Sequence, residues 1–172
     1  MKRIAGLAAL ALAGASLSAC GLHPLYEGGG HAAAASGLAG VQITPIQGRA
    51  GWLMSAALAD RVQARGSARY RLDVKLEDKL EGLGILSNDT VSRERRTLRA
   101  RYQLVDLATG AILLDQTAGS DEGIDPTSSE YATVAGEQTA LENLTRVVAD
   151  RIVANLAVAL RARAAHPPAQ GQ

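Results

Sequence analysis

Cysteine and aromatic residues are scarce in this 172-residue chain. It contains one cysteine, one tryptophan, four tyrosines and no phenylalanine. A single cysteine excludes an intrachain disulfide and a cysteine-based metal site. So few rings also argue against the aromatic platforms on which single-stranded nucleic acids stack. Alanine, leucine and valine must therefore fill the core of the protein.

An excess of one charge is also missing. Lys and Arg together number 18, Asp and Glu 17, and the formal net charge is +1, which gives no reason to expect a nucleic-acid partner. The three histidines, His23, His31 and His166, lie near the two ends of the chain. We expect no positioned His for a catalytic triad or a metal site. The sequence therefore predicts a protein that is not an enzyme and has no cofactor.

The N-terminus has the layout of a bacterial lipoprotein signal. Lys2 and Arg3 precede an uncharged run over residues 4–17, and Leu17-Ser-Ala-Cys20 closes it. Such a run is too short to span a bilayer, which takes about 20 apolar residues. We predict a signal peptide over residues 1–19 and a covalent lipid on Cys20, since two or more acyl chains give stable anchoring. A soluble secreted protein with a chance cysteine is the alternative.

The chain after the cysteine divides into three predicted parts. Residues 20–40 form a lipid-anchored N-terminus and a flexible tether rich in Gly and Ala. Residues 41–163 form a single α/β domain, and residues 164–172 a disordered tail. Gly21, rather than Asp, follows the cysteine, which favours the outer membrane.

Hydrophobic periodicity predicts the elements of the domain. The order is strand, helix, three strands and a long helix, over residues 41–46, 49–65, 70–76, 90–106, 111–118 and from about 126 to 163. Gly66 is a suitable stop for the first helix. The long helix can begin at an Asp125-Pro126 cap or at a Thr127–Glu130 capping box. Trp52 suits a core or interface position. The fold class is α+β: a two-layer sandwich with two helices on one face of a four-stranded mixed sheet (β-α-β-β-β-α), whose first passage could be a parallel crossover.

An arginine row is the one local concentration of charge. At strand spacing Arg93, Arg95, Arg99 and Arg101 point to one face. Guanidinium groups bind phosphate through two parallel hydrogen bonds, so the row could hold a phosphorylated lipid. Alternatively, the arginines pair across the sheet with carboxylates, or protect an exposed sheet from aggregation. The acidic candidates for such pairing are Asp73, Glu77 and Asp78.

Several short motifs resemble one known family. The mature N-terminus, Cys20-Gly-Leu-His-Pro-Leu-Tyr26, is similar to that of the lipopolysaccharide-assembly lipoproteins, the LptE family. Further similar segments follow in the same order, at residues 41–46 with Arg49, 70–74, 100–106 with Thr109 and Gly110, and 129–133. The chain departs from the family at Glu27 and in its longer tether, which leaves the geometry between anchor and domain open.

The resemblance implies a function. It implies a non-enzymatic α/β domain inside the lumen of an LptD-like outer-membrane β-barrel, which inserts lipopolysaccharide (LPS) into the outer leaflet. The lipoprotein would help the barrel to assemble, plug it and contact LPS, and lipid A phosphates would then be a ligand for the arginine row. No site residue carries over from a family motif.

Two rival functions remain. One is an auxiliary lipoprotein of a lipid-trafficking ABC transporter, against which Pro24-Leu25-Tyr26 favours the LptE resemblance. The other is an enzyme or a peptidoglycan-associated factor, for which the sequence offers no clustered catalytic residues.

Overall fold

The computed structural model of the protein describes residues 37–85, 91–126 and 129–165. The predicted signal peptide, Cys20, the three histidines and the tail after Ala165 lie outside the described residues. The elements are β1 (Val41–Ile43), α1 (Gly48–Val62), β2 (Tyr70–Ile85), β3 (Val91–Asp106), β4 (Ile112–Ile124) and α2 (Glu130–Ala165).

The four strands form one mixed sheet in the order β1-β2-β3-β4. Strand β1 runs parallel to β2, so β1-α1-β2 is a parallel crossover, and the other two pairings are antiparallel. Both helices lie on one side of the sheet. The predicted α+β fold, with two helices on one face of a four-stranded mixed sheet, is confirmed.

The core lies between the helices and the inner face of the sheet. Helix α1 contributes Met54, Leu58 and Val62, which recur every four residues and are at most 3 % exposed. Burying each such side chain stabilises the fold by roughly 1.5–3 kcal/mol. Other large buried side chains come from the strands and α2, among them Tyr70, Leu72, Leu98, Tyr102, Leu104, Leu141, Leu144, Val148, Ile152, Leu156 and Leu160.

A buried tyrosine joins three elements inside this core. The Tyr102 hydroxyl on β3 accepts a hydrogen bond from Asn155 Nδ2 on α2 at 2.7 Å and donates to Gln116 Oε1 on β4 at 3.2 Å. Burial raises the pKa of Tyr102 above its ordinary value, which keeps the hydroxyl neutral. Because an unpaired buried hydroxyl is costly, these bonds fix the position of α2 on the sheet.

The C-terminal end of α2 is held by a largely buried carboxylate. Asp106, the last residue of β3, accepts a hydrogen bond from the Ala108 backbone N–H at 2.9 Å and pairs with Arg163 at 3.2 Å. Arginine near a helix C-terminus also complements the helix dipole. The β3–β4 turn and the end of α2 are thus tied to the same side chain.

Several helix boundaries differ from the predictions. Helix α1 ends at Val62, and its C-cap is Gln63 in the left-handed conformation, with φ 47°; Gly66 also has a positive φ, of 76°, but lies beyond the end of the helix. Helix α2 begins after Ser129, whose Oγ accepts the Ala132 N–H at 3.4 Å. The Asp125-Pro126 cap is therefore wrong: the Asp125 carboxylate instead binds Arg93. Thr127 lies outside the described residues.

Two strands are longer than predicted, and Trp52, which the sequence suggested for a core or interface position, is exposed. Strand β2 reaches Ile85, and β4 reaches Ile124. In these extensions side chains on both faces are largely polar or small, so the alternation on which the prediction rests is lost. Trp52 is 69 % exposed, which excludes a place in the core of this chain.

We expect opposite effects from alanine at two helical glycines. A Cβ at Gly51 in α1 would lie 2.5 Å from the Ile46 backbone oxygen, whereas a Cβ at Gly136 in α2 would meet Ile124 Cγ2 at an ordinary 3.6 Å. Gly51→Ala should lower the free energy of unfolding by about 1–3 kcal/mol because the backbone must move. Gly136→Ala should raise it by up to about 1 kcal/mol, because alanine favours a helix. Urea unfolding measures both, and an equal gain for the two variants would contradict the close approach at Gly51.

Candidate functional site

The face of the sheet opposite the helices is densely charged. We call it the charged face. The pairing of β2, β3 and β4 places alternate, odd-numbered residues on it. Seven basic and six acidic side chains stand on or beside these strands, which gives the charged face a net charge of +1. They are Arg71, Asp73, Lys75, Glu77, Lys79, Glu81, Arg93, Arg95, Arg99, Arg101, Asp115, Asp121 and Asp125.

The four predicted site arginines come together on the charged face. Arg93, Arg95, Arg99 and Arg101 all lie on β3, and the regular antiparallel register from residue 93 to residue 104 keeps them on the same side. The inner face of the same stretch carries Leu98, Ala100 and Tyr102, all fully buried. Burial of one face therefore fixes the direction of the arginines on the other.

Three of these arginines are paired with aspartates of the neighbouring β4 segment. Arg101 binds Asp115 with two hydrogen bonds, at 2.9 and 3.1 Å. Arg93 lies 2.9 Å from Asp125, and Arg95 lies 3.8 Å from Asp121. These side chains are well exposed to solvent, so each pair contributes little to stability. Their main effect is to neutralise most of the arginine row.

The acidic residues proposed from the sequence as partners on β2 bind elsewhere. Asp73 pairs with Arg71 at 3.0 Å, and Glu77 pairs with Lys79 at 2.8 Å. Asp78 is an even-numbered residue of β2 and therefore points to the helix side of the sheet. Pairing of the row with Asp73, Glu77 or Asp78 is thus wrong, although the broader expectation of cross-strand pairing holds for β4.

Arg96 is the arginine that Asp78 binds. Its guanidinium makes two hydrogen bonds to Asp78, at 2.9 and 2.7 Å, and a third to the Glu137 backbone oxygen of α2 at 2.8 Å. The Asp78 hydrogen bond raises the pKa of Arg96. This arginine joins β2, β3 and α2 on the inner side, and it has no part in the charged face.

Arg99 differs from the rest of the row. In the described part of the chain, no carboxylate lies within ion-pair distance of its guanidinium and no hydrogen-bond partner is present. Glu77 is its register neighbour on β2, but Glu77 is held by Lys79. The pKa of Glu77 is lowered chiefly by Lys79 and less by Arg99. Arg99 therefore keeps a free guanidinium in the middle of the charged face.

The surface around Arg99 is recessed on both sides. A depression of about 190 Å³ lies toward β2, beside Glu77 and Thr97, and one of about 430 Å³ lies toward β4, beside Thr117 and Gly119. A Cβ on Gly119 would lie 3.1 Å from Arg99 Cγ, so glycine at this position leaves room for the arginine stem. The guanidinium has five donors and lies beside two threonine hydroxyls, which suit an anion, but Glu77, Glu81 and Asp121 also line these depressions.

The described residues contain no group of three or more His, Cys, Asp or Glu side chains placed to hold a metal ion. Among the same residues, no helix combines the length and the apolar character that a membrane span requires.

A comparison of the sequence with models of known protein families identifies the family of this chain. The LptE profile, described as lipopolysaccharide-assembly, matches residues 38–156, which include the whole sheet and most of α2. The chain belongs to the LptE family. The match covers Arg93, Arg95, Arg99 and Arg101, whereas Cys20 lies before it.

Solved lipoprotein structures share the fold of this LptE-family chain. A lipoprotein from Caulobacter crescentus superimposes with a TM-score of 0.63 at 21 % identity, covering 77 % of this chain and 98 % of that one. Lipoprotein B from Nitrosomonas europaea gives 0.56 at 14 % identity, covering 73 % and 87 %. The rare lipoprotein B of Shewanella oneidensis gives 0.50 at 11 % identity, covering 68 % and 95 %. No curated protein matches the sequence significantly.

The sequence alone missed the aspartates that neutralise the row. Asp121 and Asp125 fall in residues 119–125, which were predicted to be a loop, and Asp115 lies on the shorter predicted strand. Their odd numbering could have revealed them, because it places them on the same face of the sheet as the arginines once β4 extends to Ile124.

We expect Arg101 to control the acidity of Asp115. Hydrogen bonds from Arg101 and Gln103 lower the pKa of Asp115 from 3.8 to about 2. The pair therefore stabilises the fold above the ordinary pKa of aspartate, and this contribution is lost as the pH falls through about 2. Arg101→Ala should raise the pKa of Asp115 toward 3.8, as measured by NMR titration of its carboxyl carbon. Arg99→Ala is the matched control and should leave it unchanged; equal shifts in both variants would argue against the direct bond.

Proposed function

We propose that this protein is the outer-membrane lipoprotein subunit of an LPS translocon, where it plugs and helps to assemble a β-barrel partner resembling LptD. The observation that carries the proposal is the LptE match over residues 38–156. The predicted signal peptide, which ends in Leu17-Ser-Ala-Cys20, would supply the anchor through a lipid on Cys20, and Gly21 favours the outer membrane. The proposed role is one of binding and assembly, without catalysis.

The charged face supports a place against a polar, hydrated surface. Its charges are of both signs, sum to +1 and are mostly paired within the sheet. A face of this kind is unsuited to the acyl chains of a membrane, because burying ion pairs in hydrocarbon costs more than the pairs return. It is suited to a water-filled lumen lined by polar side chains.

We place the LPS contact at Arg99 rather than evenly along the arginine row. An anion that binds Arg93, Arg95 or Arg101 must compete with an aspartate already present. Arg99 needs no such exchange, and depressions beside it leave space for a phosphate. In this proposal Arg99 binds a lipid A phosphate.

Loss of Arg99 should weaken LPS binding without changing the fold. A charge-assisted hydrogen bond contributes about 1.5–3 kcal/mol, so Arg99→Ala should raise the Kd for LPS about tenfold or more at low ionic strength. Arg161→Ala, on an exposed position of α2, is the matched control and should bind like the parent. Binding is measured with purified LPS, and circular dichroism reports the fold. Equal affinity of all three proteins at low salt would remove Arg99 from the site.

An affinity pull-down tests the function itself. The tagged protein with Cys20 intact is extracted from membranes in mild detergent, and the proteins that copurify are identified by mass spectrometry. We expect a stoichiometric outer-membrane β-barrel. The Cys20→Ser variant should leave the membrane fraction, because it cannot be lipidated. An inner-membrane permease and ATPase without a barrel would instead support the ABC-transporter function.

A further inference from the structure

Three segments of the chain meet at one end of the sheet, which we call the basal end. They are residues 37–40, where the described chain begins, the α1–β2 loop at residues 63–69, and the β3–β4 turn with its flanking residues, 106–112. Arg65 N–H donates to the Ala39 oxygen at 2.8 Å, and Leu107 N–H donates to the Arg69 oxygen at 3.0 Å. These backbone bonds hold the entering chain, the loop and the turn together as one surface.

The basal end is positively charged. Its three segments contain two exposed arginines, Arg65 and Arg69, and one acidic residue, Asp106, which is buried and bound to Arg163. Arg65 bonds to the glutamine two residues before it at 3.5 Å, and Arg69 lies over the ring of the tyrosine that follows it, 5.3 Å from the centroid. Within the described ranges neither guanidinium pairs with a carboxylate. The basal end thus differs from the charged face, whose cations are mostly neutralised.

Two large apolar side chains are exposed at the same end. Leu107 is 43 % exposed and Ile112 is 57 % exposed, although turns usually carry small or polar residues. Cationic side chains beside exposed apolar ones are typical of surfaces that lie on an anionic bilayer. The apolar groups enter the boundary between headgroups and acyl chains, while the guanidinium groups bind lipid phosphates.

The chain that leads to the predicted lipid anchor leaves the domain at the basal end. Gly37 lies against α2, where a Cβ on this glycine would be 3.3 Å from Leu160 Cβ. Sixteen residues separate Gly37 from Cys20, and a chain of this length spans at most about 60 Å. A lipid on Cys20 would therefore keep the basal end near the membrane at an effective concentration on the order of millimolar. At such a concentration a weak attraction is sufficient for docking.

We propose that the basal end docks on the anionic lipid surface of the membrane that carries the anchor. Arg65 and Arg69 bind lipid phosphates, and Leu107 and Ile112 enter the headgroup region. Each arginine strengthens the docking about fivefold, and salt weakens it. This goes beyond the proposed function and rests on it only for the anchor at Cys20, since it requires neither the barrel nor LPS.

Paramagnetic relaxation of methyl signals in NMR tests the docking. The mature chain, residues 20–172, is coupled through Cys20, its only thiol, to a maleimide lipid in nanodiscs. The nanodiscs contain phosphatidylcholine, phosphatidylglycerol and a lipid with a nitroxide on its headgroup. The Leu107 and Ile112 methyls should relax several times faster than those of Leu80 and Val134, which are 43 and 42 % exposed but lie toward the other end of the sheet. Equal relaxation at the two ends would overturn the proposal.

Matched double variants test the two arginines. Arg65→Ala/Arg69→Ala should lower the ratio of docked to undocked domains about tenfold or more, and the relaxation at the basal end should fall accordingly. Arg49→Ala/Arg146→Ala removes the same charge from exposed positions on the two helices and should behave like the parent. Equal losses in the two variants would overturn a specific docking surface, as would undiminished relaxation in nanodiscs without phosphatidylglycerol.

The two proposals fail separately. Because the maleimide lipid supplies the anchor, the NMR result does not depend on lipidation in the cell. Failure of a barrel to copurify in the pull-down would contradict the proposed function and leave the docking result unchanged.

Discussion

The alternation of side chains along β3 is the constraint on which both halves of the molecule depend. Leu98, Ala100, Tyr102 and Leu104 are fully buried beneath the helices. Because neighbouring side chains of a strand point in opposite directions, the burial of these four residues places the intervening side chains on the opposite face of the sheet. The same packing that stabilises the core therefore orients the arginines, and Tyr102 links this strand to α2 and β4 through Asn155 and Gln116.

The charge pattern differs between the two faces of the sheet. On the inner side most residues of β3 are apolar, but Arg96 pairs there with Asp78 and donates to the Glu137 backbone oxygen of α2. On the outer side, cross-strand aspartates neutralise three arginines. Arg99 remains unpaired because its neighbour on β4 is Gly119 and its neighbour on β2 is engaged by Lys79. The free guanidinium is thus a property of two strand registers rather than of its own sequence surroundings.

The sequence predicts best those elements in which apolar residues recur at a regular helix or strand spacing. The apolar stripes of α1 and α2 and the alternation of residues 70–76 were sufficient to predict the fold class and its two layers. Boundaries were less accurate, because Gln63 ends α1 in a conformation that favours glycine, and the sequence offers two other candidate starts close to Ser129, at Asp125-Pro126 and at Thr127–Glu130. At the site, the alternation of side chains along a strand predicted which arginines share a face. Which of them stay free depends on Asp115, Asp121 and Asp125, whose contacts need the register of β4 and cannot be read from β3 alone.

The register shift between Leu104 and Val105 has a consequence for how this family can diverge. Insertion of one residue between Arg93 and Leu104 would exchange the two faces of part of β3, placing arginines under the helices and leucines in solvent. Lengthening by two residues preserves both faces. A bulge absorbs a single extra residue without this exchange, so Leu104 and Val105 mark the place where odd changes in length are tolerated. Length variation among homologues should therefore come in steps of two along the arginine-bearing stretch and in single steps near the β3–β4 turn.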